Sequence, residues 1–437
     1  MKNRLLYISL VIIGFITGCK KDEDPIFDDP DTRLAAELSA DQAKLLAATN
    51  GWKAMIYPKG GKGYAFYFKF DADGKVNMLS DFNANTATTL KESTYRLKAL
   101  QSPTLIFDTY SYIHLASDPD GSVSGGANAT GLRSDFEFAF SAVAGDSLKM
   151  NGIFNGNPMT MIKLTQAESS SILAGGFKTM LDANAAYVTA NKYPYVIFSG
   201  DVKVAISIDP SSKVLKLSYI NGQEVKTQSA TFAYGINKLT LSNYLTYNNI
   251  SFRELFYDTV IKTYYIMVGD ARYNLQNSAT PITPLSLMFG FPSSYTYRRM
   301  TIPAAGLPSG VTSGFTTVYN TMVNNFVTSG RGVSSTFLSL TGNDGLHVEV
   351  AYTSGTSAFV ATADYTYTRV GDTFTLSAPV YSGNWTTRAT QLLPLTNYML
   401  SGPFKIDWAS SSNPANTSLI GGFYRVNDPS SFFYGNL

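Results

Sequence analysis

The chain has 437 residues, with 34 Lys and Arg against 32 Asp and Glu, and only 15% of its residues are charged, where roughly 25% is usual. That balance argues against nucleic acid or an acidic membrane surface as the main partner. A single cysteine excludes a disulfide framework, and two histidines leave little from which to build a zinc site.

The N-terminus reads as an export signal. Lys2 and Arg4 precede an apolar run over 5–17. As a helix that run reaches only ~20 Å, short of the ~30 Å hydrocarbon core of a bilayer, so it reads as a signal segment and not a permanent span. Ile16-Thr17-Gly18-Cys19 resembles a bacterial lipobox. The resemblance implies that 1–18 is removed and that Cys19 becomes a thioether-linked lipid anchor, held to the membrane by its acyl chains. Without Lys2 and Arg4 the remaining chain has equal numbers of acidic and basic residues.

Lys20, Lys21, Asp22, Glu23 and Asp24 follow at once, then Pro25 and Asp28-Asp29-Pro30-Asp31. A charge-rich, Pro-containing tract of this kind makes an extended tether over 19–32. It also resembles the acidic export tract of Bacteroidetes surface lipoproteins, which implies display on the outer leaflet of the outer membrane. Ser, Thr, Asn, Gly, 28 Tyr and 27 Phe dominate the rest, as expected of an extracellular β-rich protein.

Beyond the tether, "DTRLAAELSADQAKLLAAT" has an approximate apolar stripe of Leu34, Leu38, Leu45 and Leu46 and predicts a helix. Further helices are predicted within "QAESSSILAGGFKTMLDANAAYVT" and "SGFTTVYNTMVNNFVT". After each comes an alternating stretch broken by a turn: 66–80 (FYFKFDADGKVNMLS), 204–218 (VAISIDPSSKVLKLS) and 336–352 (TFLSLTGNDGLHVEVAY). Alternation on both sides of an Asp-, Gly- or Asn-rich turn predicts a β-hairpin. Asp71, Asp209 and Thr341 mark the strand ends, and Tyr95, Phe232 and Tyr365 follow them at +24, +23 and +24.

The expected fold is mainly β with short helices, a β-rich α+β class. It comprises three tandem units over 33–165, 166–311 and 312–437. Each is a short helix plus an antiparallel meander, forming either a lipocalin-like barrel or a half-barrel sheet. In the first unit Asn50-Gly51-Trp52 opens the first strand, and Trp52 is expected to plug the bottom of the core.

Asp31-Thr32-Arg33-Leu34 together with "NGWKAMIYPKGGKGYAFYFKFDADGKVNMLSDF" (50–82) resembles a Bacteroidetes lipoprotein family known as domain of unknown function 4302. The resemblance is strongest over about residues 27–115. It implies a setting beside outer-membrane importers of the SusC/SusD type and transfers no catalytic residues.

The chemistry-bearing residues are sparse. His114 in "YSYIHLA" and His347 in "GLHVEV" read as sheet-surface residues, with no HExxH pair and no GxSxG elbow. Asp71 and Asp73 begin like a calcium loop, but its twelfth position is Phe82, and a hairpin turn explains them. Gly60-Gly61-Lys62-Gly63 lacks P-loop spacing. No metal and no cofactor are expected. The candidate ligand-binding residues are the aromatics Trp385, Trp408, Tyr381 and Tyr424 of the ring-rich C-terminal unit, since rings stack on sugars and anchor interfaces.

The functional expectation is a non-catalytic surface lipoprotein of the outer membrane that captures a glycan or peptide beside a SusC/SusD-like TonB-dependent importer. A structural or adhesive protein that binds other proteins is the first alternative. A hydrolase with a carboxylate pair met only in the fold is the second.

Overall fold

The computed structural model describes residues 29–100, 102–222, 224–291 and 295–437. The lipidation and export expectations on Cys19, Lys20, Lys21, Asp22, Glu23 and Asp24 lie outside them. By compactness the chain divides into two units, the first ending at Gly176 and the second running from Phe177 to Leu437 with Gly61–Gly63 added.

The first unit holds a closed antiparallel barrel. Its strands are β1 (Trp52–Ile56), β2 (Tyr64–Phe70), β3 (Lys75–Ser80), β4 (Lys91–Ala99), β5 (Pro103–Phe107), β6 (Glu137–Ala144), β7 (Ser147–Gly152) and β8 (Pro158–Lys163). Neighbours pair in chain order, and β8 returns to β1 with Lys163 opposite Trp52. Alternate side chains point inward. Phe66, Phe68, Phe70, Met78, Phe107, Phe138, Met150 and Met161 are all buried there. Ring centroids stand 5.3 Å apart for Phe66 and Phe68 and 5.2 Å for Phe68 and Phe107. An eight-stranded barrel is just wide enough for side chains to fill it, and this interior is packed with rings and thioethers.

Helix α1 (Pro30–Leu46) closes one end. Only its last turns engage: Leu45 is buried, while Leu34 of the expected stripe is exposed. Trp52 is buried beneath it and donates its indole N–H to the Leu45 carbonyl at 2.8 Å. The chain turns between them at Gly51, φ +86°, where a Cβ would fall 2.8 Å from the Phe68 carbonyl oxygen. Glycine alone meets both conditions.

The second unit contains two further sheets. One comprises β9 (Pro194–Ile197), β10 (Lys203–Asp209), β11 (Val214–Asn221), β12 (Glu224–Gly235), β13 (Lys238–Tyr247), β14 (Ile250–Asp258), β15 (Thr263–Val268), β16 (Ala271–Asn274) and β17 (Gln276–Asn277). β16 pairs with β15, and β17, one residue on, pairs with β9. The run 271–277 therefore closes this sheet into a ring. Leu275 between the two strands is buried and donates its N–H to the Tyr264 carbonyl at 2.8 Å.

The stretch expected as one helix is two, α2 (Gln166–Leu173) and α3 (Gly176–Ala190), separated by Gly175 at φ +93°. Phe177, Met180, Asn184 and Tyr187 form the buried stripe of α3. Asn184 donates to the Tyr234 hydroxyl at 2.8 Å and accepts from the Tyr264 hydroxyl at 2.7 Å. Burial holds the Tyr264 hydroxyl well above its ordinary pKa.

The last sheet comprises β18 (Arg299–Ile302), β19 (Arg331–Leu340), β20 (Gly345–Ser354), β21 (Ser357–Val370), β22 (Thr373–Leu376), β23 (Val380–Tyr381), β24 (Phe404–Ala409), β25 (Ile420–Arg425) and β26 (Asp428–Asn436). β26 pairs with β18 and β20 with β21, so eight strands form a ring and β23 rides on β21. Helix α4 (Phe315–Thr328) lies between β18 and β19, whereas α1 and α3 precede their first strands. β18, Leu285 and Phe289 thus belong with this last core although they lie upstream of residue 312. The boundary falls earlier than the sequence suggested because the helix entered one strand later.

The three turns serve one purpose. The N–H of Tyr95 donates to Gly74, that of Phe232 to Lys213 and that of Tyr367 to Asp344, at 2.8, 2.8 and 2.7 Å. The counterpart of Tyr95 in the last sheet is thus Tyr367, two residues beyond the expected Tyr365. Asp71 is a turn acceptor, taking the N–H groups of Asp73 and Lys75 at 3.0 and 2.8 Å. Asp209 acts likewise. The Ser211 and Ser212 hydroxyls on its carboxylate hold its pKa down to about 2.

Asn184→Ala is expected to remove two buried hydrogen bonds to the Tyr234 and Tyr264 hydroxyls and to cost about 2–4 kcal/mol. Urea unfolding checks this, and an unchanged midpoint would show that Asn184 does not tie α3 to its sheet.

Candidate functional site

Packing decides first which predicted residues are free to act. Trp385 lies in α5 (Gly383–Thr387), just before α6 (Ala389–Met399), two helices the sequence reading did not foresee. It is 2% exposed, stacked on Tyr381 at 5.6 Å, and donates its indole N–H to Thr396 Oγ1 at 3.3 Å. Its ring is core and offers no stacking face, which corrects the expectation. Tyr381 on β23 keeps its outer side exposed. Tyr424 stacks on Phe432 at 4.1 Å and donates to the Trp408 carbonyl at 2.8 Å. Burial raises its pKa, and its edge lines a groove of about 430 Å³ beside the Asp372–Lys405 ion pair.

The histidines also move from their expected places. His114 sits in a 3₁₀ turn (Tyr112–Ser117) and is buried. The sequence alternates like a strand there, but the imidazole Nδ1 accepts the Ser111 N–H at 3.1 Å and curls the chain. Nε2 then donates to the Phe107 carbonyl at 3.1 Å. Burial lowers its pKa, so the neutral ring persists. His347 does lie on a sheet face, in β20. Ser339, His347 and Asp364 are cross-strand neighbours, and His347 Nδ1 is 2.6 Å from Asp364 Oδ1. The Nε2 that would take a serine proton in a triad lies 3.7 Å from Glu349 instead. Among the described residues no cluster of His, Cys, Asp and Glu is arranged to hold a metal ion.

Trp408 leads to the candidate site. It is buried, with its indole N–H donated to the Thr283 carbonyl at 2.7 Å, and it forms part of the wall of a cleft of about 220 Å³ within the second unit. One side of the cleft is the end of α3 with Lys192 and Tyr193, together with Asn277–Thr280. The other is the loop 410–418, "SSSNPANTS", between β24 and β25.

This loop is built rather than slack. Ser411 Oγ and Asn416 Nδ2 both donate to the Ser309 carbonyl, at 2.7 and 3.1 Å. Asn413 Nδ2 donates to Ser309 Oγ at 2.9 Å, and the Ser412 N–H to the Gly310 carbonyl at 2.8 Å. Opposite, Asn277 Oδ1 accepts the Tyr193 N–H at 2.9 Å. Several lining groups keep unspent capacity among the described residues: the Lys192 ammonium and the hydroxyls of Tyr193, Thr280, Ser410, Thr417 and Ser418. Among the described residues Lys192 is the only charged one in the lining. Sequence reasoning missed this loop. Its signal was nine uncharged, hydroxyl- and amide-rich residues between two strands.

The family model described as domain of unknown function (DUF4302) matches residues 23–259. The chain belongs to that family. The match spans the first barrel and most of the next sheet, so the cleft's α3 wall lies inside the DUF4302 segment and its 410–418 wall beyond it. No curated protein sequence matches the chain. Among solved structures, an octameric penicillin-binding protein homologue from Pyrococcus abyssi is 8% identical with TM-score 0.16, over 32% of this chain and 33% of that one. The chain thus spans about a third of that protein's length. MucB in complex with MucA(peri) is 10% identical with TM-score 0.08, over 79% and 89%. Isotype 1 transferrin binding protein B from serogroup B Neisseria meningitidis is 10% identical with TM-score 0.14, over 89% and 74%. Likenesses at these scores carry no argument.

Gly310 tests the built loop. At φ +78° a Cβ there would fall 2.5 Å from both Asn413 N and Ser411 Oγ. Gly310→Ala is expected to raise amide exchange over 411–418 by about tenfold or more while the barrel strands stay protected. Unchanged loop protection would contradict the anchoring.

Proposed function

We propose that this chain is a non-catalytic, lipid-anchored lipoprotein displayed on the outer membrane, which captures a glycan and passes it to a SusC/SusD-like TonB-dependent importer. The observation that carries the reading is the cleft of Tyr193, Trp408 and the 410–418 loop. Sugars present many uncharged hydroxyls and weakly apolar faces. A neutral wall of hydroxyls and amides answers the first, and side-chain groups already fixed by hydrogen bonds bind without the cost of ordering them. Among the described residues the lining includes no carboxylate, whereas glycoside hydrolysis uses a pair. The cleft therefore suits holding a saccharide.

The N-terminal tract supports the location. An apolar run that ends at Cys19, followed by charge, is what an anchored and exported protein needs. The balance of acidic and basic residues beyond it leaves no strong field to draw in polyanions.

The test is a saccharide array probed with the mature chain, with Tyr193→Ala and Lys192→Ala beside it. The expected result is saturable binding of an oligosaccharide that is recovered uncleaved, weakened about tenfold or more by Tyr193→Ala. Binding that ignores both substitutions, or cleavage of the bound sugar, would overturn the reading.

A further inference from the structure

The first barrel carries a second site of different chemistry. Phe154, at the tip between β7 and β8, is 92% exposed. A free ring of that size normally belongs to a mobile tip, but this one is clamped. The carboxylate of Asp135, itself 2% exposed, accepts the N–H groups of Phe154 and Asn155 on Oδ1 at 3.0 and 2.7 Å. Its Oδ2 accepts the N–H and the side-chain amide of Asn157, at 3.0 and 2.7 Å. Asn157 also donates to the Arg133 carbonyl at 2.7 Å and accepts the Lys59 N–H at 3.0 Å. Four donors satisfy the buried charge and fix the loop. The clamp depends on Gly152, where a Cβ would fall 2.0 Å from Asp135 Oδ2.

The clamped loop borders a groove of about 610 Å³. Phe136 and Ile153 are exposed along it, and the lining also includes Arg133, Glu137 and the clamped Asp135. Arg133 is held at φ +52°, a left-handed conformation that a residue with a Cβ adopts at a cost. Its guanidinium has no partner among the described residues, and neither has the Glu137 carboxylate. Opposite charges in one groove, each unpaired, flank exposed apolar surface.

We propose that this groove binds short free peptides that carry a bulky apolar side chain. The ring of Phe154 covers that side chain together with Phe136 and Ile153. Arg133 takes the peptide carboxylate and Glu137 its amine. A neutral sugar would cover both charges and pair neither, which costs affinity. An internal segment of a folded partner brings no chain termini to meet them. The site is independent of the saccharide cleft and of the reading built on it.

Isothermal titration of the full mature chain with the tripeptide Leu-Phe-Leu, free and with both ends capped, tests the proposal. The free form is expected to bind saturably and the capped form about tenfold or more weaker. Phe154→Ala should weaken the free form at least as much. Its thermal unfolding should stay unchanged, because the ring supports no packing. Arg133→Ala should weaken the free peptide and narrow its advantage over the capped one, leaving the part that Glu137 gives through the amine, and Lys192→Ala should change nothing. Equal binding of the two forms, indifference to Phe154→Ala, or no saturation with the folded chain would each overturn the proposal.

Discussion

Ring closure is the constraint on which the rest of the structure depends. A sheet edge presents unpaired N–H and C=O groups, and a ring has no edge. Here eight-fold closure is reached in three ways. β8 returns directly to β1, the single run 271–277 serves two neighbours, and β26 returns to β18 while β20 meets β21. Once closed at this size, a ring must be filled. The abundant Phe, Tyr and Met supply the volume, and they line each interior as separate cores. The proposed recognition is thereby displaced to rims, loops and clefts.

Loops outside a filled barrel gain precision only if something holds them, and buried or shared polar groups do so here. The Asp135 carboxylate gathers the 154–157 loop. Ser309 and Gly310 gather the 410–418 loop. Asn184 joins α3 to two strands through tyrosine hydroxyls. The first two arrangements spend polar capacity on backbone order and leave neighbouring side chains unspent. The two grooves then differ in what remains: hydroxyls and one ammonium in the cleft, apolar rings with the Arg133 guanidinium and the Glu137 carboxylate beside Phe154.

The local features of this fold were legible in the sequence because their causes are local. Alternation around "DADGK" produced the β2–β3 hairpin, and the Asp71 carboxylate closes its turn as the residue types implied. Closure was not legible, since the pairing of Trp52 with Lys163 joins residues far apart in sequence. Nor does composition say which side of a strand a ring takes, so Trp385 read as a surface candidate when it is core. A local signal for its helix existed: Ser382 Oγ accepts the Trp385 N–H at 3.3 Å as a helix cap. Pro394 inside α6 argued the other way. His114 shows the same limit, because a strand-like alternation gave way to one hydrogen bond from Ser111.

The central claim is that the rings are filled and that ligands bind outside them. Xenon enters dry apolar cavities and marks them directly, so crystals of the protein pressurised with xenon give the most direct test. The account predicts no xenon enclosed by β1–β8, by β9–β17 or by the ring of β18–β26. A well-occupied xenon site among Phe66, Phe68 and Phe107, or in either of the other two interiors, would contradict it and return the ligand to the inside of a barrel.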